Sequence, residues 1–216
     1  NGKNWIVKYY KGLSAHQPSE AVQLARTFDN HLIVQKWDEH ANDNFEIFYG
    51  NNTNERKREL CTPVITPIRE EITKEIDCSY LLKYHVKLFQ LSVIKRKVPS
   101  VHDGLASVHR KILTGARREP TKTMKVFQLG GSIAKDMNYQ HGDIFINKTI
   151  SYMCQCFTGA KNMPLLQPLG QFGSIQKGTK KFGSPRYNNV RLNKKLTDVL
   201  FPPADDWLLP YVFEEG

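Results

Sequence analysis

The residues best suited to covalent chemistry in this chain are a tyrosine and the arginine before it, in Ser184-Pro185-Arg186-Tyr187. They close a basic, glycine-punctuated stretch, Gln167 to Gly183, that reads as a loop. An unperturbed phenol has a pKa of ~10, so about one molecule in a thousand is ionised at neutral pH. A neighbouring guanidinium favours the phenolate and can also grip a phosphate with two parallel hydrogen bonds. The pair therefore suits nucleophilic attack on a phosphodiester, leaving a phosphotyrosyl ester. A packed tyrosine beside a solvated arginine is the plain alternative, and the rest of the sequence has to decide.

Charge speaks for a polyanion. The 216 residues carry a net charge of +10, and the excess is not spread evenly. Residues 1–78 hold 10 basic and 12 acidic residues, whereas residues 79–216 hold 21 and 9. Between Lys83 and Lys125 there are 11 basic residues against only Asp103 and Glu119. Such asymmetry suits nucleic acid; a basic face with no specific partner remains the other possibility. Hydrophobic residues at 40% and charged residues at 24% fit a globular chain, and no run of some eighteen apolar residues suggests a membrane span.

Other candidates surround the tyrosine. His141 sits in Tyr139-Gln140-His141-Gly142-Asp143, just before a helix whose unpaired N–H groups would attract an anion. It is placed either to donate to a phosphate or assist proton transfer, or simply to cap or pack. Gln171-Phe172-Gly173-Ser174 and Gly178-Thr179-Lys180-Lys181 supply glycine and lysine for close approach to phosphates, or form an ordinary surface loop. There is no phosphate-binding loop of the Gly-x-x-x-x-Gly-Lys type and no Asp-x-Asp pair for a metal, so no metal ligand is assigned. Cys61, Cys78, Cys154 and Cys156 lack zinc-module spacing and read as free thiols in a reducing, intracellular setting, with Met153 to Phe157 as helical core.

Several elements must position these groups. Trp5 to Tyr10 reads as a strand, and Ser19-Glu20 opens a helix with Ala21, Val22, Leu24, Ala25 and Phe28 on its apolar positions. His31 to Trp37 and Phe45 to Tyr49 read as paired strands, followed by a short charged helix, Glu55 to Leu60. Residues 1–60 thus suit the end of an α/β domain, and residues 61–78, with Pro63 and Pro67, read as a linker. The remainder, 79–216, reads as mainly helical: Ser79 as N-cap of a helix that stops before Pro99, a basic amphipathic helix from Leu105 to Arg118, a helix from Lys125 to Met137, a third capped by Asp143 and running to about Phe157, and a last segment from Asn189 to Phe201. Leu105, Val108, Ile112 and Leu113 face inward; His109, Arg110, Lys111, Arg117 and Arg118 face largely outward. Short helices of this kind, one strongly basic, suit a helix-turn-helix or winged-helix unit. The fold class expected is α+β.

Six motifs in collinear order make the chain resemble the type IIA DNA topoisomerases of eukaryotes and large DNA viruses. They are Lys8-Tyr9-Tyr10-Lys11-Gly12-Leu13, Arg56-Lys57-Arg58-Glu59-Leu60, Pro99 to Leu105 with His109-Arg110-Lys111-Ile112, Tyr139 to Asp143, Leu166 to Ser174, and Ser184 to Tyr187. The tail from Phe201 to Gly216, with Trp207-Leu208-Leu209-Pro210-Tyr211, looks most like the asfarvirus-type enzymes.

That resemblance implies that residues 1–60 are the end of a TOPRIM domain and 79–216 a winged-helix domain. It implies that Tyr187 joins to a 5′ DNA phosphate, that Arg186 steadies it, and that His141 belongs to the active-site surround. Lys11, Arg96, Arg110, Lys111, Gln171, Lys180 and Lys181 are the expected DNA contacts. The family enzyme is an ATP- and Mg²⁺-dependent homodimer acting on double-stranded DNA, in the nucleus of a cell or in the cytoplasm or nucleus of a virus-infected host. The family's acidic metal ligands belong upstream of Lys11-Gly12-Leu13 and its ATPase domain lies elsewhere. The chain, which opens Asn-Gly-Lys, is accordingly expected to be a piece of a longer polypeptide that binds duplex DNA without cleaving it alone. Departures from the family pattern are Ile175 for Arg, Gly178-Thr179-Lys180-Lys181 for Gly-Gly-Lys-Asp, Ala106 for Lys, Phe145 for Ser, and Asn188 for an apolar residue. The alternatives are a DNA-binding winged-helix fragment of a degenerate or split topoisomerase that no longer cleaves, and a structural or docking piece.

Overall fold

The structure, a computed structural model, describes residues 15–64, 74–137, 139, 141–160 and 163–208. The expected strand at Trp5 to Tyr10 and the Lys8 to Leu13 motif, Lys11 included, lie outside those residues. The chain separates into two compact units, Asn1–Leu91 and Ser92–Gly216.

In the first unit come α1 (Pro18–Arg26), β1 (Val34–Lys36), α2 (Ala41–Tyr49), α3 (Thr53–Cys61), β2 (Glu75–Asp77) and α4 (Cys78–Tyr80). A π-helical turn, Leu81–Val86, leads from α4 into α5 (Lys87–Lys97). Strands β1 and β2 run parallel, with Val34 opposite Glu75 and Lys36 opposite Asp77. Parallel strands need a long crossover, and α2 and α3 lie within it. Strand β2 falls inside the 61–78 stretch read as a linker.

Phe45 to Tyr49 is helix, not strand. Aromatic and branched residues favoured a strand, but the positions also fit a helical period. Buried Ala41, Asn44 and Phe48 line one face of α2, while Trp37 stacks on Phe45 at 5.2 Å between ring centroids and Tyr49 meets Phe45 at a tilt at 6.0 Å. Ser79 is not the N-cap: Asp77 occupies that position. The N–H of Ser79 instead donates to Asp38 Oδ2 at 2.8 Å, and Asn44 Nδ2 donates to the Ser79 hydroxyl.

The Arg56 to Leu60 motif holds this unit together. Arg56 Nε donates to Ile47 O at 3.1 Å, and its guanidinium also reaches Gly50 O. Both are carbonyls left over at the C-terminal end of α2. Glu59 accepts from Lys87 Nζ at 3.0 Å, and that lysine side chain is only 2% exposed.

The second unit holds α6 (Ser107–Arg117), β3 (Met124–Lys125), α7 (Val126–Asp136), α8 (Asp143–Met153), β4 (Leu166–Leu169), β5 (Asn189–Leu192), α9 (Lys194–Leu200) and a 3₁₀ turn, Pro203–Leu208. The sheet is antiparallel, ordered β3-β5-β4. Helices α6, α7 and α8 pack together against it through Ile112, Leu113, Leu129, Ile133, Ile146, Ile150, Leu166 and Val190. The inward positions expected on α6 are the buried ones, with Val108 partly covered.

Three boundaries differ from expectation. The stretch from Gln167 begins as strand, because β4 is an edge strand, where a residue such as Pro168 without an N–H is tolerated. Helix α8 stops at Met153, so Cys154 to Phe157 is not helical; Cys154 is buried and Cys156 exposed. The segment after Tyr187 divides into β5 and α9. The chain is a mixed helix-and-sheet protein, and no described helix is long and apolar enough to cross a membrane.

Candidate active site

A tight turn presents Tyr187. The N–H groups of Tyr187 and Asn188 both donate to Ser184 O, at 3.0 and 3.2 Å, and that of Arg186 donates to the Ser184 hydroxyl. The turn is docked on the start of α7: Phe127 N donates to Pro185 O at 3.2 Å and Val126 N to Asn188 O at 3.0 Å. These are first-turn N–H groups with no partner inside their own helix. The backbone is therefore fixed while the phenol projects outward, 80% exposed. Among the described residues, neither the Tyr187 hydroxyl nor the Arg186 guanidinium has a hydrogen-bond or ion-pair partner. A fixed backbone with unoccupied polar tips is suited to meeting a phosphate from outside.

Next to the turn lies the loop from Gly170 to Gly183. Two buried carboxamides anchor it. Asn188, 4% exposed, accepts at Oδ1 from Gln171 N (3.1 Å), and its Nδ2 donates to Gln171 O (2.6 Å) and Gly183 O (3.3 Å). Gln155, 2% exposed, donates through Nε2 to Phe172 O (2.8 Å) and Thr179 O (2.7 Å). Gly170, at φ 138, has no room for a side chain, since a Cβ there would lie 2.6 Å from Asn188 Oδ1. Gly173, at φ 94, likewise faces Gly178 O at 2.8 Å. The sequence pointed to neither carboxamide as functional; the available signals were a glutamine between two cysteines and a polar residue where the family pattern is apolar.

The structure brings Gln171, Lys180, Lys181, Arg186 and Tyr187 onto this one loop-and-turn assembly. Gln171 contributes its backbone to the described bonds, and Lys180 and Lys181 are exposed. The other candidates stand differently. Arg110 on α6 is paired with Asp103, at 2.9 Å to Oδ1 and 2.8 Å to Oδ2. Lys111 donates to Met137 O at 2.8 Å, an end carbonyl of α7. Arg96 is exposed in the last turn of α5, beside Lys95 and Lys97. His141 precedes α8 and meets the Tyr139 ring edge-on at 5.5 Å; no described contact joins it to Tyr187. Asp143 is the first residue of α8, accepting from its neighbour Ile144 N, and Gly142 holds the N-cap position.

Burial pushes the Tyr139 phenol and the Cys154 thiol above their ordinary ranges. Both are thereby poorer nucleophiles than exposed counterparts.

The family model for the A-type subunit of DNA gyrase/topoisomerase IV matches residues 96–216. The chain belongs to that family. Over 99% of its length it is 40% identical to DNA topoisomerase 2 of African swine fever virus, of which it covers 19%. Over its full length it is 34% identical to the probable DNA topoisomerase 2 of Dictyostelium discoideum, covering 14% of that protein. Among solved structures it resembles the DNA-binding, cleavage and re-ligation domain of Plasmodium falciparum topoisomerase II, with a TM-score of 0.76 and 30% identity over 96% of this chain and 29% of that one. The chain thus spans about a fifth or less of the curated relatives it matches.

A topoisomerase of this kind implies Mg²⁺, which takes oxygen ligands, chiefly carboxylates. Among the described residues no group of three or more His, Cys, Asp or Glu is placed to hold a metal. The residues on either side of Tyr187 are Arg186, a cation, and Asn188, whose carboxamide is already bonded to the Gln171 backbone. Among the described residues the donor set does not fit the ion.

Proposed function

We propose that the chain is the DNA cleavage-religation segment of an ATP-dependent type II topoisomerase, acting through a 5′-phosphotyrosyl intermediate at Tyr187. The observation that carries this is the exposed, unpartnered phenol on a rigid turn beside Arg186, at the foot of a lysine-bearing loop. Membership of the topoisomerase family supports it.

The step is a transesterification. The Tyr187 oxygen gives up its proton and bonds to phosphorus; the P–O3′ bond breaks and the 3′ oxygen leaves with a proton. The reverse step reseals the strand without a new energy source, because one phosphate diester replaces another. Arg186 holds the phosphate and offsets the charge that builds on its oxygens. Lys180, Lys181 and the exposed Arg96 contact backbone phosphates, as does Arg110 once it leaves Asp103. His141 donates to the duplex backbone near the start of α8.

In domain terms, residues 1–60 are the end of a TOPRIM domain, 61–78 a connection, and 79–216 a winged-helix domain. Support comes from the parallel β1–β2 pair with its helical crossover in the first unit, and from three helices on an antiparallel three-stranded sheet in the second. The whole protein is a homodimer inside the cell, in a nucleus or a virus-infected host, using ATP and Mg²⁺ held by residues outside those described.

The test is covalent trapping. The full-length protein, mixed with Mg²⁺ and supercoiled DNA and then denatured, should carry 5′ ends on Tyr187. Tyr187→Phe should abolish the adduct while keeping DNA affinity within about twofold, since a single hydroxyl contributes little to binding dominated by phosphate contacts. Salt-sensitive binding with no adduct in the unaltered protein would instead establish the non-cleaving fragment.

A further inference from the structure

We infer that Asn188 is a positioning residue for Tyr187. Its buried carboxamide holds the lysine-bearing loop at a fixed place beside the phenol, and Gln155 holds the same loop from its far side. This rests on the phosphotyrosyl function proposed above and adds to it a group that never meets the DNA.

The geometry is that of a junction. Through its backbone, Asn188 joins the tyrosine turn, by donating to Ser184 O, to the start of α7, by accepting from Val126 N. Through its side chain it joins both ends of the loop, pairing with the Gln171 peptide in both directions and donating to Gly183 O. Gly183 N closes the same ring by donating to Gln171 O at 2.8 Å. One residue, adjacent in sequence to the nucleophile, thus fixes where the loop begins and ends. The stretch so enclosed carries Lys177, Lys180 and Lys181, all exposed. Gln155 ties Phe172 O to Thr179 O, so the loop is stapled at its base and again across its middle.

A hydrocarbon at 188 fills the space but cannot pair with the Gln171 peptide. Buried donors and acceptors deprived of partners find new ones by moving. The loop would then shift relative to a phenol that the α7 contacts still hold. Small misplacements of that kind lower the rate of a positioned reaction more than they lower binding. The departure from an apolar residue after the tyrosine is, in these terms, a local device for setting the loop.

The experiment uses the full-length protein with Asn188→Leu, Asn188→Asp and Gln155→Met. Adduct formation is followed under single-turnover conditions, DNA affinity is measured separately, and amide hydrogen exchange is read over 171–183. Asn188→Leu should slow adduct formation by about tenfold or more, with affinity within about threefold and loop exchange faster by about tenfold. Gln155→Met should speed exchange mainly over 172–179.

Asn188→Asp provides a signature that general loss of structure would not. A carboxylate keeps the bond from Gln171 N but faces two carbonyls it can only repel; once protonated it regains one donor. Its adduct rate relative to the unaltered protein should therefore rise as pH is lowered from about 8 to about 5, while the Asn188→Leu ratio stays flat.

An adduct rate within twofold of normal for Asn188→Leu, or a flat ratio for Asn188→Asp, overturns the positioning role. Unchanged exchange in the loop overturns the clamp and leaves the phosphotyrosyl function standing. Absence of an adduct in the unaltered protein sinks that function, and the positioning role with it.

Discussion

Removing Glu59 should harm this protein far more than removing Lys87, although the two are partners. Lys87 is 2% exposed and its ammonium is held by Glu59 Oε1 and Thr62 Oγ1, whereas Glu59 is 23% exposed. In Glu59→Ala the ammonium stays buried with one neutral acceptor. Breaking a buried pair in this way costs about 3–5 kcal/mol. In Lys87→Met no charge stays buried and Glu59 can turn to water, so the change should lie within about 1 kcal/mol or be stabilising. The double variant should resemble Lys87→Met, giving a coupling of about 3 kcal/mol. The assay is urea unfolding of the 216-residue chain, followed by tryptophan fluorescence, at pH 7. Equal losses for the two single variants, or a loss for Glu59→Ala below about 1 kcal/mol at pH 7, would refute the reasoning.

Two further outcomes are expected. Asp103→Asn frees Arg110 from an exposed pair of the kind worth about 0.2–1 kcal/mol, so duplex affinity measured by titration should rise by up to about fivefold, with a steeper salt dependence; an unchanged or lower affinity would mean that Arg110 makes no phosphate contact. Hydrogen bonds from Ser79 first, then from the His40 N–H, hold the Asp38 carboxyl below its ordinary range. A lowered folded-state value gives stability that is present above the ordinary carboxylate range and lost as pH falls through the lowered value, so Asp38→Asn should be less stable at pH 7 but show a shallower acid limb in unfolding.

The sequence was most legible where one physical signal acted alone. The amphipathic pattern of α6 placed Ile112 and Leu113 in the core, and residue types alone singled out Ser-Pro-Arg-Tyr, although they did not decide whether its phenol packs or is exposed. Legibility failed where two signals competed. Phe45 to Tyr49 has the composition of a strand and the spacing of a helix, and the ring contacts of Phe45 with Trp37 and Tyr49 accompany the helix. Pro168 and Gly170 hid β4, because only the sheet order shows that β4 lies at an edge. Charge counts overstated the basic surface, since Arg110, Arg117 and Arg118 each meet an aspartate distant in sequence or on another element. The carboxamides of Gln155 and Asn188 were beyond reach for another reason. Their partners are backbone atoms of another segment, so a polar residue type at 155 and 188 does not say what it binds.

The docking of the tyrosine turn on Val126 and Phe127 has a mechanical consequence. On the function proposed above, a broken DNA end esterified to Tyr187 would be moored to the helical core itself, not to a swinging arm. Displacement of that core would tow the end along while putting no leverage on the ester, so a wide gap could open with the bond to be reversed still at rest.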